Sequence, residues 1–155
     1  MPEACVIRDE TGLVQLEKAR DAGFQREKIK LQLIGNEGEA TFSGVKLDWT
    51  VQQHGGHWPM RADGLELFDA DKVGRSVVLR HWRPGDRFQP IGMRNAVKLQ
   101  DFFTNAKVSR TKRHELILAE TVQGEVFWVE GFRISERFKL TESTNRRLKW
   151  RWQRL

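Results

Sequence analysis

Residues 147–155 read RLKWRWQRL, with Leu148, Trp150 and Trp152 alternating strictly against Lys149, Arg151 and Gln153. That period belongs to a β-strand, whose successive side chains point to opposite faces. One face is apolar and aromatic and belongs against a core. The other is basic.

Working back along the chain, patterns of the same kind recur. LILAETV (116–122) and VFWVEG (126–131) form a hairpin turning at Gln123-Gly124-Glu125, and FRISERFKL (132–140) reads as a further strand. SVVLRHW (76–82) is a strand ending at the Pro84-Gly85 break, and GLELFDADKVG (64–74) gives a short strand and a turn. ATFSGVKLDWTVQQ (40–53) alternates about Gly44 as another hairpin, and HGGHWP (54–59) is a Gly/Pro-marked loop. In KLQDFFTNAK (98–107), Leu99, Phe102, Phe103 and Ala106 fall at i, i+3, i+4 and i+7, one face of an α-helix. Ser109 or Thr111 caps a second short helix through His114. Ahead of these, Leu13, Leu16 and Ala19 have helical spacing and Ile29, Leu31 and Leu33 alternate, so residues 1–34 read as a helix and then a strand. They form a lead-in segment to a domain over 35–155. Strands dominate, helices are few and βαβ units are not evident, so the fold class is α+β.

The 155 residues are 39% apolar and 31% charged, enough to bury a core without staples. Cys5 is the only cysteine, which excludes an internal disulfide and fits a reducing cytoplasm. No stretch is long and apolar enough to span a membrane, and no secretory leader is evident. Net charge is +6, unevenly spread: residues 1–72 hold 9 Lys/Arg and 13 Asp/Glu, whereas residues 73–155 hold 18 and 8. The second half therefore suits a polyanionic partner.

The cations concentrate around one turn and one helix. In RPGDR, Pro84 fixes φ and Gly85 permits positive φ, so Arg83, Asp86 and Arg87 project from a tight turn. Guanidinium forks fit phosphate oxygens, and Asp86 is expected to pair with Arg83 or Arg87 and pin the turn. Lys98 precedes the helix and Lys107 ends it; a cation there either complements the helix dipole or meets phosphate. Lys107, Arg110, Lys112 and Arg113 then follow within seven residues, denser than dipole compensation needs. Trp49, Trp82, Trp128, Trp150 and Trp152 read as core. His54 and His57 lack further ligands for a metal, and His81 and His114 are each either structural or phosphate-facing. There is no GxxxxGK[ST], GxGxxG or SGGxDS-type loop and no Ser/His/Asp arrangement, so these residues supply no catalytic set.

Three blocks, RHWRPGDRFQPIGM, KLQDFFTNAKVSR and VFWVEGFRISERFKLT, stand in an order and spacing that closely resemble the carboxyl-terminal domain of bacterial tRNA(Ile)-lysidine synthetases. That family is an ATP-dependent ligase that joins lysine to the wobble cytidine of an isoleucine tRNA. Its chemistry, with ATP and magnesium, belongs to a domain carrying the SGGxDS loop, so no cofactor is expected in this chain. The resemblance implies a β-sandwich-like core similar to a domain of the phenylalanyl-tRNA synthetase β subunit. It also implies contact with the tRNA acceptor stem, in the cytoplasm, and with the catalytic domain of the same enzyme. The RNA-binding residues so implied are Arg83, Arg87, Lys98, Lys107, Arg110, Arg133, Arg137 and Lys139, with Gly85, Asp86 and Glu136 as folding residues; the dense cation run itself adds Lys112 and Arg113. Two rival readings are an editing-type hydrolase, for which no nucleophile is visible, and a docking domain whose basic face meets a catalytic half. Self-association through the acidic first half stays open.

Overall fold

The computed structural model describes residues 15–17, 27–33, 35–55, 62–132 and 134–155. Two antiparallel sheets share one core. The first is five-stranded, in the order β1 (Gln15–Glu17), β2 (Lys28–Gln32), β6 (Ser76–His81), β9 (Ile117–Thr121), β10 (Val126–Val129). The second is four-stranded, in the order β3 (Glu37–Phe42), β4 (Val45–Gln53), β11 (Arg146–Arg154), β5 (Leu65–Asp69). A two-stranded ribbon joins β7 (Arg87–Phe88) to β8 (Val97–Lys98). The helices are short: α1 (Ala70–Val73), α2 (Leu99–Asn105) and α3 (Arg110–Glu115).

The 147–155 stretch is the spine of the second sheet. As β11 it pairs with β4 from Arg146↔Gln53 to Arg154↔Val45 and, on its other edge, with β5 from Arg147↔Asp69 to Arg151↔Leu65. Leu148 and Trp150 are fully buried and Trp152 packs against the same core. The β3–β4 hairpin turns through Ser43 and Gly44, both at positive φ (50° and 80°), the pattern of a type I′ turn matched to strand twist.

Inter-sheet packing depends on an irregularity in β10. The register with β9 shifts between Val126 and Trp128. A bulge there breaks the in-out alternation. Phe127 and Trp128 both join the core between the sheets, while Val126 and Val129 face a second cluster with Trp82, Phe88, Leu99, Phe103, Leu116 and Leu118. Phe127 meets Phe68 at 5.1 Å and Trp150 at 5.7 Å between ring centroids, edge to face. The second cluster is where α2 covers the outer face of the five-stranded sheet.

Two expected elements differ. Gln15–Glu17, placed in a helix by spacing, is a strand paired with β2; Leu13 and Ala19 lie outside the described residues. FRISERFKL is not a strand either. Ser135 makes a lone bridge to Pro90, and a 3₁₀ turn over Glu136–Phe138 follows, capped by the Ser135 hydroxyl. Its backbone changes partner within three residues: the Ile134 carbonyl accepts from Ile91, while Ser135 and Glu136 donate to Phe127 and Gln89. No single ladder forms. β2 lies inside the five-stranded sheet, between β1 and β6. Of the HGGHWP loop only His54 and Gly55 are described.

Candidate nucleic-acid interface

The RPGDR turn is closed by the Asp86 amide donating to the Arg83 carbonyl (3.2 Å), with Pro84 at its second position and Gly85 (φ 91°) at its third, the type II arrangement. Asp86 does pin the turn, but its side-chain partner is Arg80. The Arg80 guanidinium donates to both Asp86 carboxylate oxygens (2.9 and 2.8 Å) and to Glu120 (3.0 Å). Arg80 is only 4% exposed. Burial alone would lower its pKa, yet the hydrogen bonds it donates to Asp86 and Glu120 outweigh that and raise it. Asp86 also accepts from the Arg83 amide (2.7 Å). A buried ion cluster therefore fixes the turn and leaves the side chains of Arg83 and Arg87 outside it.

From this turn the chain enters the β7–β8 ribbon, where Arg87 and Lys98 stand opposite each other and both are exposed. Like charges in register repel, so the folded domain gains nothing from this pair by itself. Lys98 then caps α2 with its backbone and makes no side-chain cap. At the far end the helix stops in a Schellman motif: the Val108 amide donates to Phe103 and the Lys107 amide to Thr104. Lys107 holds the left-handed position, φ 58°, normally given to glycine. Nine residues separate the two lysines, roughly 13 Å along a helical rise. Arg110 follows, exposed, at the first position of α3, which the Ser109 hydroxyl caps by accepting from the Lys112 amide (3.2 Å).

The other candidate cations are engaged. Arg113 clamps the α2–α3 joint: it donates to the Val108 carbonyl (2.9 Å) and the Thr104 hydroxyl (3.1 Å) and lies over the Phe103 ring at 5.9 Å. Lys112 sits 3.8 Å from Glu115, Arg137 pairs with Glu125 (2.9 Å) and Lys139 with Glu136. Glu136 also accepts from the Gly92 amide (2.9 Å), and Lys139, then that amide, hold its carboxyl below the ordinary range. Arg133 lies outside the described residues. Among the described residues, Arg83, Arg87, Lys98, Lys107 and Arg110 make no carboxylate pair, and neither does exposed Arg94 in the β7–β8 loop. Sequence reasoning passed over Arg94; its place in the loop that Glu136 anchors could be seen only in three dimensions.

His81 is buried, its Nδ1 3.2 Å from the Leu116 carbonyl and its ring 5.6 Å from Phe42, so it belongs to the seam between the sheets rather than to phosphate. Beside it, Arg154 of β11 binds buried Glu130 through two 2.6 Å contacts, tying one sheet to the other. Among the described residues no group of three or more His, Cys, Asp or Glu is placed to hold a metal, and no helix is long and apolar enough to cross a membrane.

Fold and surface define a class: a two-sheet α+β domain with a cationic ribbon and helix mounted on one sheet's outer face. Residues 77–152 match the family model described as the TilS substrate C-terminal domain. The chain is 32% identical over 98% of its length to a tRNA(Ile)-lysidine synthase of Clostridium acetobutylicum, of which it covers 29%. A tRNA(Ile)-lysidine synthase of Caldanaerobacter subterraneus is 36% identical over 56% of the chain and 18% of that protein. The chain thus spans under a third of these relatives. A crystal structure of a TilS C-terminal domain superposes with a TM-score of 0.61 at 23% identity, over 73% of this chain and 86% of that one, and shows the same fold.

Proposed function

We propose that this chain is the tRNA-contacting module of a lysidine synthase, gripping the backbone of a base-paired stem, the acceptor stem in the family's case. The observation that carries this is the placing of cations where folding does not reward them. Arg87 faces Lys98 in register, and Lys107 occupies a glycine position, all without carboxylate partners among the described residues. A-form RNA is read mainly by shape and by its ribose-phosphate backbone, which suits fixed cations on a stiff scaffold. The module's other partner is the remainder of a synthase-length protein, where ATP chemistry would reside; its setting is the cytoplasm.

The test is filter retention of isoleucine tRNA by the wild type and by a Lys107→Glu/Arg110→Glu variant. Arg113 is left intact because it clamps α2 to α3. Retention should fall at least tenfold while the thermal midpoint stays within a few degrees. Undiminished retention by a folded variant would remove the helix end from the interface.

A further inference from the structure

Beside the ribbon lies a cleft of about 330 Å³, within the range of small-ligand sites. Arg87 and Gln89 line one side; Gln123 and Glu125 of the β9–β10 turn line another; Arg137 of the 3₁₀ turn completes it. Arginines from two separate sequence blocks thus line one space. Arg137 is held 2.9 Å from Glu125, and the two side chains are 66% and 34% exposed, so the pair presents a carboxylate and a cation together. A bare anion would be repelled by Glu125. A ligand carrying both a phosphate and hydroxyl donors would use every group: phosphate on the arginines, hydroxyls donating to the carboxylate, and a base edge against the glutamine amides. Arg87 belongs to the ribbon as well as to the cleft. A strand bound along Lys98 and Arg87 therefore borders the cleft.

We propose that this cleft takes one unpaired ribonucleotide adjoining the bound stem, with Arg87 and Arg137 on its phosphate and Glu125 accepting from a ribose hydroxyl. The inference rests on the reading of the chain as a module that grips a duplex. Its ligand differs from that duplex in being single-stranded and in being recognised as ribose, the group by which proteins tell RNA from DNA.

The experiment compares one RNA stem in three forms: blunt, with one unpaired nucleotide at the 3′ or the 5′ end, and with that nucleotide as its 2′-deoxy form. Fluorescence anisotropy with the whole chain should show one overhang binding about tenfold tighter than the blunt stem, as expected of a charge-assisted hydrogen bond. The deoxy form should lose much of that gain. Glu125→Gln should erase the ribose preference while keeping an overhang gain, because Arg137 is then released. Arg137→Ala, shown to be folded by circular dichroism, should bring the overhang-to-blunt ratio to one. Equal binding of blunt and overhung stems by the wild type would overturn the cleft and leave the duplex grip standing. An unchanged ratio in folded Arg137→Ala would also overturn it. Failure to bind any stem would overturn both.

Discussion

Lys107 shows how a single residue can carry cost and purpose together. A side chain at φ 58° is strained by about 1 kcal/mol, and glycine is the residue this helix end normally takes. Lys107→Gly should therefore stabilise the domain by about 0.5–1 kcal/mol in a urea titration while weakening RNA binding. A variant destabilised by the glycine would contradict the strain. His81 makes a different point. Burial, its largest influence, pushes its pKa below 6.5. The folded state then holds fewer protons than the unfolded state, so stability is full above the unfolded pKa and falls as pH drops through that value towards the folded one. Denaturation midpoints below pH 6.5 should decline, and His81→Gln should flatten that decline. A wild-type midpoint constant from pH 7 to pH 5 would show that His81 takes no part.

At the scale of elements, much was legible because periodicity is local. The alternation of β11, the Gly44 and Gly124 hairpins and the apolar face of α2 each lie within a dozen residues, and all formed as expected except that Ala106 is the exposed cap of α2 rather than part of its buried face. What escaped depends on distant partners. Arg80 lies six residues from Asp86 but forty from Glu120, and only the β6–β9 pairing brings all three together. Nothing in LILAETV marked Glu120 as the second carboxylate. The segment after β10 looks like a strand by composition, yet Gln89, Ile91 and Phe127 divide its backbone hydrogen bonds among them. Of the ten expected RNA contacts, Arg137 is paired by a carboxylate twelve residues back in the β9–β10 turn, whereas Lys139 finds its acid three residues away and Arg113 its acceptors five and nine residues away. The turn-to-sheet link is the element on which the cationic face depends. Asp86→Ala strips a buried arginine of a bidentate partner and should cost about 3 kcal/mol or more in equilibrium unfolding. A loss under 1 kcal/mol would mean that the cluster does not hold the turn.

For the whole molecule, charge and architecture divide the labour. Two sheets and their aromatic seam supply stability, with Arg154 and Glu130 bridging them, while the ribbon and α2 ride on an outer face through their own apolar cluster. The acidic first half and basic second half are therefore not two bodies, because strands from both halves pair within each sheet. Cations on the ribbon and at the helix end can be removed without touching either core. The decisive measurement is the salt dependence of RNA-stem binding by the wild type and by a Lys98→Ala/Lys107→Ala/Arg110→Ala variant. Each phosphate contact contributes a slope of roughly one in log affinity against log salt, so the variant's slope should be shallower by about two to three. Equal slopes for two folded proteins would contradict a backbone grip by these side chains.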